Sequence, residues 1–74
     1  MPSKYPTCTP EEMCRALKKA GFWLEKQKGS HAKFTNGVRI VIVPIHHKDL
    51  KVGTLKSILE QAGFSVDMLM DYLK

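Results

Sequence analysis

The spacing of apolar positions changes twice along the chain, and each change marks a change of element. Thr9-Pro10-Glu11-Glu12 opens a helical pattern. Thr9 is a capping residue, Pro10 suits the first helical position, and Glu12 completes a reciprocal capping box. Met13, Leu17 and Ala20 recur at helical spacing and Gly21 supplies a left-handed stop, which predicts a helix over residues 10–20. The pattern then shortens to strands. Residues 22–28 form the first, led by Phe22, Trp23 and Leu24 and broken by Gly29-Ser30, and residues 31–34 form the second. After a Thr35-Asn36-Gly37 turn, β-branched residues 38–43 make the third, closed by Pro44. Residues 45–52 are polar and irregular. Helical spacing returns with Leu55, Ile58, Leu59 and Ala62, stopped by Gly63, and Ser65 caps a short last helix carrying Val66, Leu69, Met70 and Leu73.

This order predicts one α+β domain over residues 1–74, with an irregular N-terminal segment over residues 1–8. Its two layers are a three-stranded antiparallel sheet and helices on one face, in the order α-β-β-β-α(-α). The order is that of double-stranded-RNA-binding domains, a likeness of fold that leaves function to be read from the site.

Hairpin register decides which side chains the open sheet face displays. A two-residue Asn36-Gly37 turn mixes polar and apolar residues on both faces. A three-residue turn, Thr35-Asn36-Gly37, pairs Phe34 with Val38 and gathers Ala32, Phe34, Val38, Ile40 and Ile42 on one face. The reading adopted is the second, which leaves His31, Lys33, Arg39 and Val41 on the open face, with Val43 and Trp23 adding apolar surface there. So much exposed apolar surface suggests a docking protein.

Composition narrows the class of partner. The formal charge is +5, and residues 26–56 hold Lys26, Lys28, Lys33, Arg39, Lys48, Lys51 and Lys56 against the single acid Asp49. A concentrated basic segment suits a polyanionic backbone. Cys8 and Cys14 have neither zinc nor redox spacing and read as reduced thiols of a cytoplasmic protein. No apolar run is long enough to span a bilayer, and residues 1–6 lack the apolar run of a secretory leader. His46-His47 with Asp49 does not complete a metal-ligand set, so neither metal nor other cofactor is expected.

Within the basic segment, Gly29-Ser30-His31 stands out, because a glycine turn brings backbone N–H groups close to a phosphate. Lys51-Val52-Gly53-Thr54 opens the second helix, with Lys56 in its first turn, where free N–H groups and the positive dipole end also suit a phosphate.

These residues resemble the HicA family of toxin–antitoxin systems. The resemblance runs from Gly21-Phe22 through Gln27-Lys28-Gly29-Ser30-His31 and Val43-Pro44-Ile45-His46. It continues into Leu50-Lys51-Val52-Gly53-Thr54-Leu55 and Ile58-Leu59-Glu60-Gln61-Ala62-Gly63. It implies a metal-independent endoribonuclease that cuts messenger RNA without the ribosome, and a HicB antitoxin that covers the active site. The family's catalytic histidine corresponds to His31, and the histidine after Val-Pro to His46, in a supporting or structural role. His47 has no counterpart.

RNA carries its own nucleophile, the 2′-hydroxyl, and histidine can take or give a proton near neutral pH. His31 is therefore expected to act as general base or general acid. Lys28, Lys33 and the Gly29 and Ser30 backbone N–H groups would stabilise the phosphate, with Arg39, Lys26, Lys51 and Lys56 as further RNA contacts. A non-catalytic double-stranded-RNA-binding module explains the fold and charge but gives His31 no special task. An adaptor that binds proteins through the sheet face predicts little RNA affinity even at low salt.

Overall fold

The computed structural model describes residues 5–46 and 48–74. Its first helix, α1 (Pro10–Lys19), starts where Thr9 caps it. The Glu12 N–H donates to Thr9 Oγ1 at 3.1 Å, and the Thr9 N–H donates to Glu12 Oε1 at 2.9 Å. Three strands follow, β1 (Trp23–Lys28), β2 (His31–Thr35) and β3 (Ile40–Pro44), then helices α2 (Val52–Ala62) and α3 (Val66–Leu73). The sheet is antiparallel with β2 in the centre, giving the α+β architecture and the α-β-β-β-α-α order expected.

The core lies between one face of this sheet and the helices. Ala32 and Phe34 of β2 and Val41 and Val43 of β3 are buried with Met13, Ala16 and Leu17 of α1, Leu55, Ile58 and Leu59 of α2, and Leu69 of α3. Both longer helices end in Ala-Gly-Phe. Gly21 and Gly63 take left-handed φ, and the following Phe22 and Phe64 N–H groups bond back to Leu17 and Leu59 carbonyls, each at 2.9 Å. The two rings then meet edge to face with centroids 6.0 Å apart, so one capping device used twice ties the helix ends together. Ahead of α1, the buried Cys8 carbonyl accepts the Leu50 N–H at 2.8 Å, which anchors the approach to α1 against the approach to α2. The expected irregular N-terminal segment includes residues 1–4, which lie outside the described residues.

The β2–β3 register differs from the expected one. Thr35 pairs with Ile40, Phe34 with Val41, Ala32 with Val43 and His31 with Pro44. The connection is therefore the four residues 36–39 rather than a three-residue turn. Side chains close it: Asn36 Oδ1 accepts the Val38 and Arg39 N–H groups at 2.9 and 2.7 Å. Thr35 Oγ1 accepts the Gly37 N–H and donates to the Arg39 carbonyl. One additional loop residue exchanges every face of β3. Val41 and Val43, expected on the open face, are fully buried; Val38, Ile40 and Ile42, expected in the core, are exposed. Phe22 is buried ahead of β1 rather than inside it.

Candidate functional site

Gly29 makes the turn that presents His31. Lys28 pairs with His31 across a two-residue hairpin whose first residue, Gly29, has φ +58°, while Ser30 keeps a negative φ. That is the II′ pattern, which needs a residue without a β-carbon at its first central position. On the other side His31 pairs with Pro44, and the Ile45 N–H donates to the Ser30 carbonyl at 2.6 Å. His31 thus begins the central strand, held from both flanks, with its exposed side chain on the face opposite Ala32 and Phe34.

Three rows of cross-strand neighbours make up this open face. Lys28, His31 and Pro44 form the row at the turn; Lys26, Lys33 and Ile42 form the next; Trp23, Thr35 and Ile40 form the last. A β-bulge between Leu24 and Lys26 separates the last row from the other two on β1. Lys33 Nζ is 3.0 Å from Glu25 Oε1, both half-exposed, whereas Lys26 and Lys28 have no salt-bridge partner among the described residues. Arg39 does not join His31, which corrects the expected shared face. It sits in the 36–39 loop at the far end of β2, with Nη1 donating to the Gln61 carbonyl at 3.4 Å and its guanidinium against Gly63.

Beyond Pro44 the chain borders a groove of about 610 Å³, lined by Pro44, His46, Lys48, Asp49, Lys51 and Thr54. His46 is exposed, and its Nδ1 accepts the Lys48 N–H at 3.2 Å. In the neutral ring that bond assigns the proton to Nε2, making His46 a donor on its other side. Lys51 is the N-cap of α2 and makes no side-chain capping bond, so the first N–H groups of this helix keep their donor capacity. Lys56 is exposed further along α2 and does not line the groove. His47 lies outside the described residues. Among those described, no three His, Cys, Asp or Glu side chains gather as a metal-holding group.

The His31 turn and the groove share Pro44 as neighbour and lining, so the cations of both lie at one end of the molecule. The model of one protein family, the "HicA toxin of bacterial toxin-antitoxin", matches residues 10–64. The chain belongs to the HicA toxin family. The match covers every site residue named from the sequence, from Lys28 to Lys56, and leaves α3 outside it. A HicA toxin belongs to a two-component system, so an antitoxin partner follows from membership. A search of curated proteins finds no significant match.

The sequence points to the stretches that line the groove, but not to the tie between α2 and β3. Lys48 belongs to the basic segment and Thr54 to the start of α2, and both line the groove. Gln61 reaches β3, where its Oε1 accepts the Ile42 N–H at 2.9 Å while its Nε2 donates to Ser57 Oγ. Nothing in the spacing of residues 42 and 61 links them.

Proposed function

We propose that this HicA toxin is a metal-independent endoribonuclease acting on messenger RNA, with His31 as its catalytic residue and a HicB-like antitoxin as its inhibitor. The observation that carries this reading is the exposed imidazole at the start of the central strand, between the Lys28 and Pro44 backbones and beside the cationic groove. Cleavage proceeds by attack of a ribose 2′-oxygen on the adjacent phosphorus. The 2′-proton goes to a base, the 5′-oxygen leaves with a proton from an acid, and the products carry a 2′,3′-cyclic phosphate and a 5′-hydroxyl. His31 fills one of the two proton-transfer roles, worth roughly 10²–10⁴-fold in rate. His46, as an Nε2–H donor, supports the neighbouring phosphate.

Lys28 and the Gly29 and Ser30 N–H groups stabilise charge on the reacting phosphate. Lys33, held by Glu25, contributes a neutralised cation rather than a free one. Lys51, Lys56 and the α2 N-terminus grip flanking phosphates, and Arg39 contacts RNA only at the far end of β2. An antitoxin over the open sheet face inhibits by denying RNA access to His31. The protein acts in the cytoplasm, where messenger RNA is available.

The test is incubation of purified protein with single-stranded RNA in the presence of chelator. Wild type is expected to leave cyclic-phosphate ends. His31→Ala is expected to lose cutting with an unchanged melting temperature, since the ring is outside the core. Equal cutting of a strand lacking 2′-hydroxyls, or full activity in His31→Ala, overturns the reading.

A further inference from the structure

We propose that Trp23 is a stacking platform for an unpaired RNA base, a recognition subsite on the same sheet face as His31. The inference rests on the ribonuclease reading and deepens it by naming how substrate is gripped away from the reacting phosphate. Strict alternation along β1 would set Trp23 on one face with Glu25 and Gln27, and Lys26 and Lys28 on the other. The bulge at Glu25 breaks that alternation. Trp23 pairs with Thr35, Lys26 with Lys33 and Lys28 with His31, so the indole and both ammonium groups share the open face. Bulges re-aim side chains in this way, commonly near functional sites.

The platform is open yet supported. Trp23 is 52% exposed. A β-carbon at Gly37 would lie 3.8 Å from Trp23 Cη2, so the 36–39 loop flanks one edge of the indole. Beside it on the sheet, Thr35 is buried with its hydroxyl fully engaged, which gives the ring a fixed neighbour. From Thr35 to His31 is four strand residues, roughly 13 Å, a span that a few nucleotides of extended RNA cover. Lys26, without a salt-bridge partner among the described residues, lies in the row between, and Lys28 stands in the row of His31.

Charge decides the occupant. A cationic row linking an indole to an imidazole complements a backbone with a phosphate at every step, and aromatic faces accept any base that is free of a duplex. Bases inside a duplex have both faces stacked, so the platform selects single-stranded segments. The substrate class is thus RNA unpaired on one side of the cleaved bond.

Trp23 is the only tryptophan in the chain, so its emission reports the contact directly. The experiment titrates the full-length chain at low salt with a single-stranded oligoribonucleotide carrying 2′-O-methyl groups, which cannot be cut, and with its duplex. Binding is read in parallel from the anisotropy of a dye on the oligonucleotide. The single strand is expected to quench Trp23 emission over the same range in which it binds, and the duplex is expected not to. Trp23→Phe, which keeps a ring, is expected to bind close to wild type, and Trp23→Ala roughly tenfold or more weaker. Melting curves check that both variants fold, and quenching in wild type needs no variant.

A single strand that binds without changing the emission overturns the inference and leaves the ribonuclease reading intact. So does a Trp23→Ala chain that binds RNA normally while losing a protein partner. Quenching without cleavage of unmodified RNA keeps the subsite and removes the catalytic reading instead.

Discussion

Val38 and Val41 offer a like-for-like test of the β3 register, because the same substitution carries opposite consequences at the two positions. Val41 is fully buried and pairs with Phe34 across the core face, whereas Val38 is 89% exposed in the 36–39 loop. Replacing Val41 by Ala removes two buried methyl groups, about 1.6 kcal/mol of transfer free energy at 0.8 kcal/mol each. Incomplete collapse of the cavity raises the cost to about 2 kcal/mol or slightly more. Val38→Ala removes surface already in water and costs only a few tenths of a kcal/mol. For a domain of this size 1 kcal/mol moves the melting temperature by about 4–8 °C, so Val41→Ala is expected to melt roughly 8–16 °C below wild type. Val38→Ala should melt within about 2 °C of it. Scanning calorimetry, with urea titration for the free energy, measures both. Equal costs, or a larger cost at Val38, would mean that Phe34 pairs with Val38 after all. His31 would then pair with Val41 and Lys33 with Arg39, in place of Pro44 and Ile42.

Three further outcomes follow from other contacts. Lys51→Glu puts a carboxylate at the N-terminus of α2, which the helix dipole favours by about 0.3–1 kcal/mol. Stability should hold or rise while RNA affinity at low salt falls, and a filter-binding titration that shows unchanged affinity removes α2 from the footprint. Burial pushes the Cys8 thiol from 9.0 up to about 11, helped by the Glu12 and Asp49 carboxylates, so the native state holds this proton longer than the unfolded chain. The stabilisation is complete below the unfolded value and is lost as pH rises towards about 11; the difference between wild type and Cys8→Ala in urea titrations should shrink over that interval. Gln61→Ala removes the acceptor that protects the Ile42 N–H on the edge strand, at about 0.5–1.5 kcal/mol. Hydrogen exchange should quicken at Ile42, and an unchanged rate there shows the bond to be absent in solution.

The helices and strands were legible because each carries its own local signal. Thr9 and Glu12 mark a helix start, Gly21 and Gly63 mark two ends, and the boundaries in the structure fall within a residue or two of the expected ones. Register was not legible in the same way. Val38, Ile40, Val41, Ile42 and Val43 are apolar at odd and even positions alike, so alternation cannot say which parity faces the helices. The choice falls to the loop, where the Asn36 and Thr35 side chains stabilise a four-residue connection that composition does not distinguish from a three-residue one. The twin Ala-Gly-Phe helix ends were written plainly in the chain, yet only the packed structure gives them a joint purpose in the Phe22–Phe64 contact.

Why the expected position of His31 survives a wrong β3 register is itself informative. The face of His31 depends on β2 alone: Ala32 and Phe34 must go inward, and alternation turns His31 and Lys33 outward whatever strand lies beside them. Its immediate approach depends on Gly29, whose positive φ is a property of one residue. By contrast, Arg39 and the exposed isoleucines depend on the length of a loop, and Trp23 depends on a bulge, neither of which a pattern of residue types specifies. The candidate site therefore divides physically into a locally encoded part, Lys28 to Lys33, and a part assembled by tertiary geometry, namely the groove, the α2 N-terminus and the indole. In the proposed reading, the proton-transfer role of His31 belongs to the first part. The proposed selection among RNAs draws on the second, so under that reading a change of loop length or bulge position alters which strands are held without touching His31.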